Sequence, residues 1–208
     1  MNGSRFQAIC IAAQEVKHLT NTPEDVWAHR AIPTLRGERV VLRQPRLSDI
    51  EDRRKLGRSA EEDRMYGGGL LADEPMTRAQ AEAWYATGSG DPAHTRWAIE
   101  LDGRCIGACG LAGTGSRVRY AIGISDPTLW GKGIGTEATR LVLGYAFGQP
   151  DIQRVELMVI AYNARALRSY EKAGFRLREI LKNSAEVNGE TFDDWMMEAA
   201  RDGDQAAV

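Results

Sequence analysis

Residues 130–137 read Trp-Gly-Lys-Gly-Ile-Gly-Thr-Glu, with glycine at alternate positions 131, 133 and 135. No other segment restricts the fold as tightly. Before it, Val118, Tyr120, Ile122 and Ile124 alternate at the period of a strand. After it, Ala138, Leu141, Val142 and Tyr145 recur at the spacing of a helix face. The run is therefore a turn from strand to helix. Positions without side chains let backbone N–H groups converge on a ligand. The helix adds its free N-terminal N–H groups and the positive end of its dipole, and Lys132 adds a charge. Such a turn suits a phosphate or pyrophosphate. It is not a P-loop, because Gly133 rather than Ser or Thr follows Lys132. It is a poor dinucleotide fingerprint, because Thr136 takes the last glycine position and hairpin strands precede it. For the glycines alone, a plain tight connection stays open as the other reading.

The flanking sequence predicts a mixed α/β (α+β) domain. Trp97, Ile99 and Leu101 alternate, Asp102-Gly103 marks a two-residue hairpin, and residues 105–111 return. Gly107, Ala108 and Gly110 point to close backbone approach in that return strand. Gly113-Thr114-Gly115 then turns into the strand ending at Ile124, completing a meander. Residues 39–43 read as a first strand, and Ser48 or Asp49 is expected to cap a polar helix through Leu56. Residues 65–71, with Gly67-Gly68-Gly69, read as a flexible loop, and residues 77–87 as a second helix. Residues 154–161 are dense in apolar and β-branched residues, as in a central strand. Asn163 caps a helix that Gly174 ends. Two last strands, 175–181 and 190–198, join through Asn188-Gly189. Residues 1–34 predict a helical extension, with Phe6, Ile9, Ala13 and Val16 on one face and Thr22-Pro23 opening a further helix. The domain proper spans 35–200, and 201–208 reads as a frayed tail.

Composition narrows the function. Twenty-seven Lys and Arg against 29 Asp and Glu leave a net charge of −2 in 208 residues, so nucleic acid and anionic membranes are not expected partners. No apolar run reaches the ~18–20 residues of a membrane span. Cys10, Cys105 and Cys109 form no Cys-x-x-Cys pair, and His18, His29 and His94 are scattered, so no metal site is expected. A cytoplasmic protein is the expectation.

Asn163 and Tyr170 stand seven apart on one helix and share a face, placing an amide and a phenol together. With the segments YAIGISDPTLWGKGIGTEATRLVLGYAF and VELMVIAYNARALRSYEKAGF, the chain resembles the GNAT superfamily of acetyl-CoA-dependent N-acetyltransferases over residues 35–200. Gly133 and Gly135 match the family's Gln/Arg-x-x-Gly-x-Gly/Ala pattern, and Trp130 stands at the Gln/Arg position. The Trp-Gly-Lys-Gly form, LRGERVVLRQPRLSDI and RWAIELDGRCIGACGL are similar to the branch that includes ribosomal-protein N-terminal acetyltransferases. The resemblance implies a mostly antiparallel sheet of about seven strands flanked by helices. The strand ending at Ile124 and the strand 154–161 would splay around the pantetheine arm of acetyl-CoA. Gly123, Ile124 and Ser125 would pair with that arm, and the amides of Gly131, Lys132, Gly133, Ile134, Gly135 and Thr136 would hold the pyrophosphate. Asn163 would contact the cofactor, Arg165, Arg168 and Lys172 its adenosine phosphate, and Tyr170 would protonate the leaving thiolate as general acid.

By the same resemblance Ala121 occupies a position where many relatives carry a glutamate base. Other candidates are Glu156, Glu100, Glu61, Glu62, Asp63, Asp73, Glu74 and His94. The acceptor side adds Glu186 and Glu190, with Trp84 and Tyr85, which suits a cationic amine. The implied acceptors are a protein or peptide N-terminus, favoured by the branch resemblance, a lysine, a polyamine or an aminoglycoside. A homodimer and a non-catalytic acyl-CoA-binding module are further expectations.

Overall fold

The computed structural model describes Trp27 and residues 31–89 and 91–201. The helices expected around Phe6 to Val16 and after Thr22-Pro23, and the tail from 202 on, lie outside the described residues. The strands are β1 (Leu35–Arg36), β2 (Val40–Arg43), β3 (His94–Leu101), β4 (Arg104–Ala112), β5 (Arg117–Ile124), β6 (Arg154–Ile160), β7 (Arg176–Val187) and β8 (Glu190–Ala200). They form one eight-stranded sheet in the order β1-β2-β3-β4-β5-β6-β8-β7. The helices are α1 (Ser48–Leu56), α2 (Ala60–Met65), α3 (Arg78–Ala86), α4 (Ile134–Gly148) and α5 (Ala164–Ala173). The sheet exceeds the expected seven strands because Leu35 and Arg36 add a short edge against Leu42 and Val41.

The expected meander forms, and its turns have a local cause. Asp102 and Gly103 have φ of 50° and 77°, and Asn188 and Gly189 have 53° and 81°. Two consecutive positive φ values match the twist of the strands they join. A Cβ at Gly107 would lie 2.0 Å from the Gly123 carbonyl oxygen, so β4 and β5 approach there only because residue 107 is glycine. Trp97 is fully buried and meets Tyr145 of α4 edge-on at 5.1 Å, tying the sheet to that helix. Trp27 and Ile32 belong to the same core, and the Trp27 indole donates to the Tyr85 carbonyl at 3.0 Å.

Two local expectations differ. The N-cap of α1 is Leu47, which gives no side-chain cap. The buried Asp49 carboxylate instead accepts from the buried Arg43 guanidinium at 2.7 Å and from the Arg46 N–H. An unpaired buried arginine costs far more than a missing cap, so the carboxylate goes to Arg43. The expected loop from residue 65 begins inside α2, a six-residue helix capped by Ser59. Its residues, Ala-Glu-Glu-Asp-Arg-Met, carry no apolar period to betray it.

One irregularity shapes the function. β5 and β6 are parallel neighbours but pair only at Arg117 with Arg154, Val118 with Val155 and Arg119 with Glu156. Beyond that, β5 continues against β4 through Ile124 and β6 continues against β8 through Ile160. Each strand therefore keeps its outer partner while the facing edges part, as the resemblance implied.

Candidate active site

The gap between β5 and β6 opens into a cleft of about 1430 Å³. Its walls include Tyr120, Ala121, Ile122 and Ile124 of β5 and Met158, Val159 and Ile160 of β6. The Ile122 carbonyl accepts from the Tyr66 hydroxyl, and the Ile124 carbonyl accepts from the Trp130 indole at 2.8 Å. A strand residue presents its N–H and C=O to the same side, so the N–H groups of Ile122 and Ile124 also face the gap. Residues 65–67 bridge the two walls: Tyr66 bonds to β5, and the Met65 carbonyl accepts from the Asn163 side chain at 3.3 Å.

The glycine turn closes one end. Gly131 and Gly133 have φ of 74° and 82°. Gly133 is the N-cap of α4 and provides no side-chain cap. Ser59, Thr77 and Asn163 cap α2, α3 and α5 with their own side chains. The first turn of α4 thus keeps its N–H groups for an acceptor from outside the chain. A Cβ at Gly131 would meet no protein atom within 4 Å, so the turn is open to a ligand. An anionic pyrophosphate fits this cradle.

Arg39 fastens the turn from behind. Its Nε donates to the Glu137 carboxylate at 2.9 Å, its Nη1 to the Lys132 carbonyl at 2.7 Å, and its own N–H to Glu137 at 2.8 Å. Burial alone would raise the Glu137 pKa, but the N–H groups of Arg39 and Val40 and the Arg39 guanidinium outweigh it and hold the carboxyl below its usual range. On the opposite side the Arg165 guanidinium stacks on the Trp130 ring, 3.7 Å from its centroid. Trp130 therefore anchors the turn to the end of β5 through its indole, in place of the polar residue of the family pattern.

Of the expected site residues, Ile124, Gly131, Gly133, Gly135, Thr136, Asn163 and Tyr170 line the cleft together. Gly123, Ser125, Lys132 and Ile134 do not. The Gly123 carbonyl points at Gly107 of β4, and the Ser125 N–H donates to the Ile106 carbonyl at 2.9 Å. Their backbone is used inside the sheet, and Ile122 takes their place at the edge. The Lys132 carbonyl is held by Arg39 and the Ile134 side chain is buried in the core, and neither contact uses the amide N–H that each is expected to offer a phosphate. Asn163 accepts from the Ala166 N–H with Oδ1 and donates once to Met65, so one amide N–H remains for a ligand. The Tyr170 ring packs edge-on against Phe175 at 5.8 Å.

Most candidate bases are engaged away from the cleft. Glu156 bonds to Arg117 and Arg178, and Glu100 to Arg43. Glu74 pairs with Arg58 at 2.8 Å, Asp73 accepts from the Ala60 N–H at 2.7 Å and Asp63 from the Leu70 N–H at 2.8 Å. Glu61 lies 3.7 Å from Arg165. Glu62 accepts from the Ser125 hydroxyl at 2.9 Å and faces Arg53 at 3.3 Å, and burial pushes its carboxyl above the usual range. His94 is buried beside Gly88. The two thiols among the described residues are poor nucleophiles, since burial pushes Cys105 up to about 12 and Cys109 higher still.

The cleft is electrically polar. Arg140 of α4 and Arg165, Arg168 and Lys172 of α5 line it near the glycine turn. Where β7 and β8 line it, the charged residues are Glu186 and Asp194. Sequence reasoning missed Asp194, because Phe-Asp-Asp-Trp shows no clean alternation that would put one of the two aspartates inward. Among the described residues no group of three or more His, Cys, Asp or Glu is placed to hold a metal ion, and no helix is long and apolar enough to cross a membrane.

The chain is similar to known proteins. Over 59 residues, 28% of this chain and 33% of the relative, the sequence is 44% identical to the probable N-acetyltransferase YjcK of Bacillus subtilis (strain 168). It is 30% identical over 132 residues to an aminoglycoside N(6')-acetyltransferase type 1 of Klebsiella pneumoniae, covering 64% of this chain and 57% of the relative. It is also 30% identical over 103 residues to the spermidine N(1)-acetyltransferase of Escherichia coli (strain K12), covering 48% and 55%. The matches thus span a third to somewhat over half of these relatives. The fold matches that of the spermidine N-acetyltransferase from Vibrio cholerae in complex with CoA and spermine, with a TM-score of 0.66, 21% identity and coverage of 79% of this chain and 97% of that one. Residues 39–176, from the arginine behind the glycine turn through α5, match the acetyltransferase (GNAT) domain. With that match, the parted strands and the uncapped turn, the chain belongs to the GNAT family of acetyltransferases.

Proposed function

We propose that the chain transfers an acetyl group from acetyl-CoA to the amine of a small cationic acceptor. The observation that carries this reading is the charge polarity of the cleft, basic at the glycine turn and acidic at β7 and β8. One end suits the anionic cofactor and the other a cation. Acetyl-CoA, when bound, supplies the acetyl group as a thioester. The turn amides and the start of α4 hold its phosphates, and the free edge of β5 at Ile122 and Ile124 orients its arm. Tyr170 holds a proton at Oη that it can donate to the leaving sulfur. The acceptor must attack as the neutral amine, which at pH 7 is a minor form for an alkylamine with a pKa of ~10.4.

The sequence resemblance favoured a peptide N-terminus. Two relatives named for aminoglycoside and spermidine, together with the acidic wall, favour a small amine instead. A second reading, an acyl-CoA-binding module without turnover, is favoured by Ala121, which leaves β5 without a carboxylate in the cleft wall. Thiol release from acetyl-CoA across a panel of diamines, aminoglycosides and peptides separates the two. Amine-dependent release with the small cations supports transfer, and binding without release supports the module. Release confined to peptides would overturn the choice of acceptor.

The role of Arg39 is tested in the same protein. Arg39→Ala removes the tie from the turn to β2 and Glu137, and the acetyl-CoA dissociation constant is expected to rise about tenfold, or ~1.4 kcal/mol. Calorimetric titration checks this, and an unchanged constant would reject the tie as part of the site.

A further inference from the structure

Asp194, one of the two acidic residues of the β7 and β8 wall, is a buried carboxylate with no specific contact assigned to it above. It is 6% exposed, and its Oδ2 accepts from the Ser184 hydroxyl at 2.9 Å. Its Oδ1 has no hydrogen-bond donor among the described residues, and no basic side chain pairs with it there. The adjacent Asp193 is engaged differently, by Lys182 at 2.8 Å and the Asn183 N–H at 3.0 Å. With one oxygen on Ser184 and the other open to the cleft, the carboxylate is placed to take a cation.

Register places this carboxylate. Asp194 pairs with Ile160, so the two side chains share one face of the sheet. The Ile160 side chain reaches Gly67, where a Cβ would lie 3.0 Å from its Cδ1. Asp194 therefore stands on the face covered by the segment after α2, at the end of the cleft opposite the basic helices. A bulge between Leu181 and Ala185 displaces β7 from its register with β8 and brings Ser184 over Asp194.

We propose that Asp194 binds a second, non-reacting ammonium group of the acceptor, and so selects diamines and polyamines over monoamines. The proposal rests on the reading of the cleft as an acetyltransferase site and deepens it. A carboxylate beside the reacting nitrogen would favour its charged, unreactive form. The same carboxylate beside a distal ammonium binds without that penalty. Burial and the neighbouring Asp193 raise the Asp194 pKa, the Ser184 hydroxyl opposes them, and an ammonium at Oδ1 would restore the charged form.

The test compares 1,4-diaminobutane with 1-aminobutane as acceptors. The wild type is expected to prefer the diamine at least tenfold in kcat/KM, as KM rather than kcat. Asp194→Asn is expected to bring that ratio close to one while leaving the KM for acetyl-CoA unchanged. Should that variant fail to fold, Ser184→Ala keeps the carboxylate, frees its aim and is expected to lower the ratio severalfold. A wild type that acetylates amines without preferring the diamine overturns the proposal, as does a folded variant that keeps the preference. Release of no thiol with any amine removes the acetyltransferase reading and the proposal with it.

Discussion

Replacing Gly133 with valine is expected to abolish measurable acetyl-CoA binding. Gly133 has φ of 82°, a left-handed conformation that a β-branched residue adopts only under strain of ~1–3 kcal/mol. A Cβ there would also sit 3.1 Å from Arg39 Nη2, against the guanidinium that fastens the turn. The turn can relieve the strain only by rotating its amides away from the ligand. With the geometry of α4's first turn lost as well, affinity should fall by ~100-fold or more, since each 1.4 kcal/mol is tenfold. The fold itself should persist, because the turn is held separately by Trp130 on Ile124 and by Glu137 on β2. Calorimetric titration beside a thermal melt checks both halves. Retained binding would reject the assignment of the turn to the pyrophosphate.

The second large effect belongs to Tyr170. Tyr170→Phe keeps the ring against Phe175 and removes only the hydroxyl. If Oη supplies the proton to the leaving sulfur, kcat should fall ~100-fold, the lower range for general acid catalysis, with acetyl-CoA affinity nearly unchanged. Steady-state kinetics with any accepted amine reads this directly. An unchanged kcat would assign the hydroxyl to packing.

The legible and the hidden parts of the molecule differ in physical kind. The hairpins at Asp102-Gly103 and Asn188-Gly189 were legible because their chemistry is local, with φ > 0 demanded at two adjacent residues. The glycine turn is legible for a similar reason, with φ > 0 at Gly131 and Gly133 on either side of Lys132. α2 is hidden because four charged residues between Ala60 and Met65 carry no apolar period, and its position depends on tertiary bonds from Tyr66 to Ile122 and from Asn163 to Met65. The cap of α1 was misplaced because Asp49 answers a buried charge from another element, Arg43, rather than its own helix. Gly123 and Ser125 stand one residue out of phase with the cleft edge, their backbone facing β4. Alternation fixes which edge a strand residue presents, and only the pairing with β4 shows that Ile122 and Ile124 hold the free edge. Arg39 is invisible in the sequence for a related reason, as it acts on Glu137, far away in the chain, and Asp194 because a bulge in β7 decides that Ser184 meets it.

The proposed reaction transfers an acetyl group from the cofactor thioester to an amine. The most direct measurement incubates the protein with acetyl-CoA and 1,4-diaminobutane, follows free thiol, and identifies the amine product by mass. Mono-acetylated amine and free CoA are expected in equal amounts, at a rate proportional to protein. Tight acetyl-CoA binding with no acetylated amine, here and across the wider amine panel, would contradict it and leave a cofactor-binding module in its place.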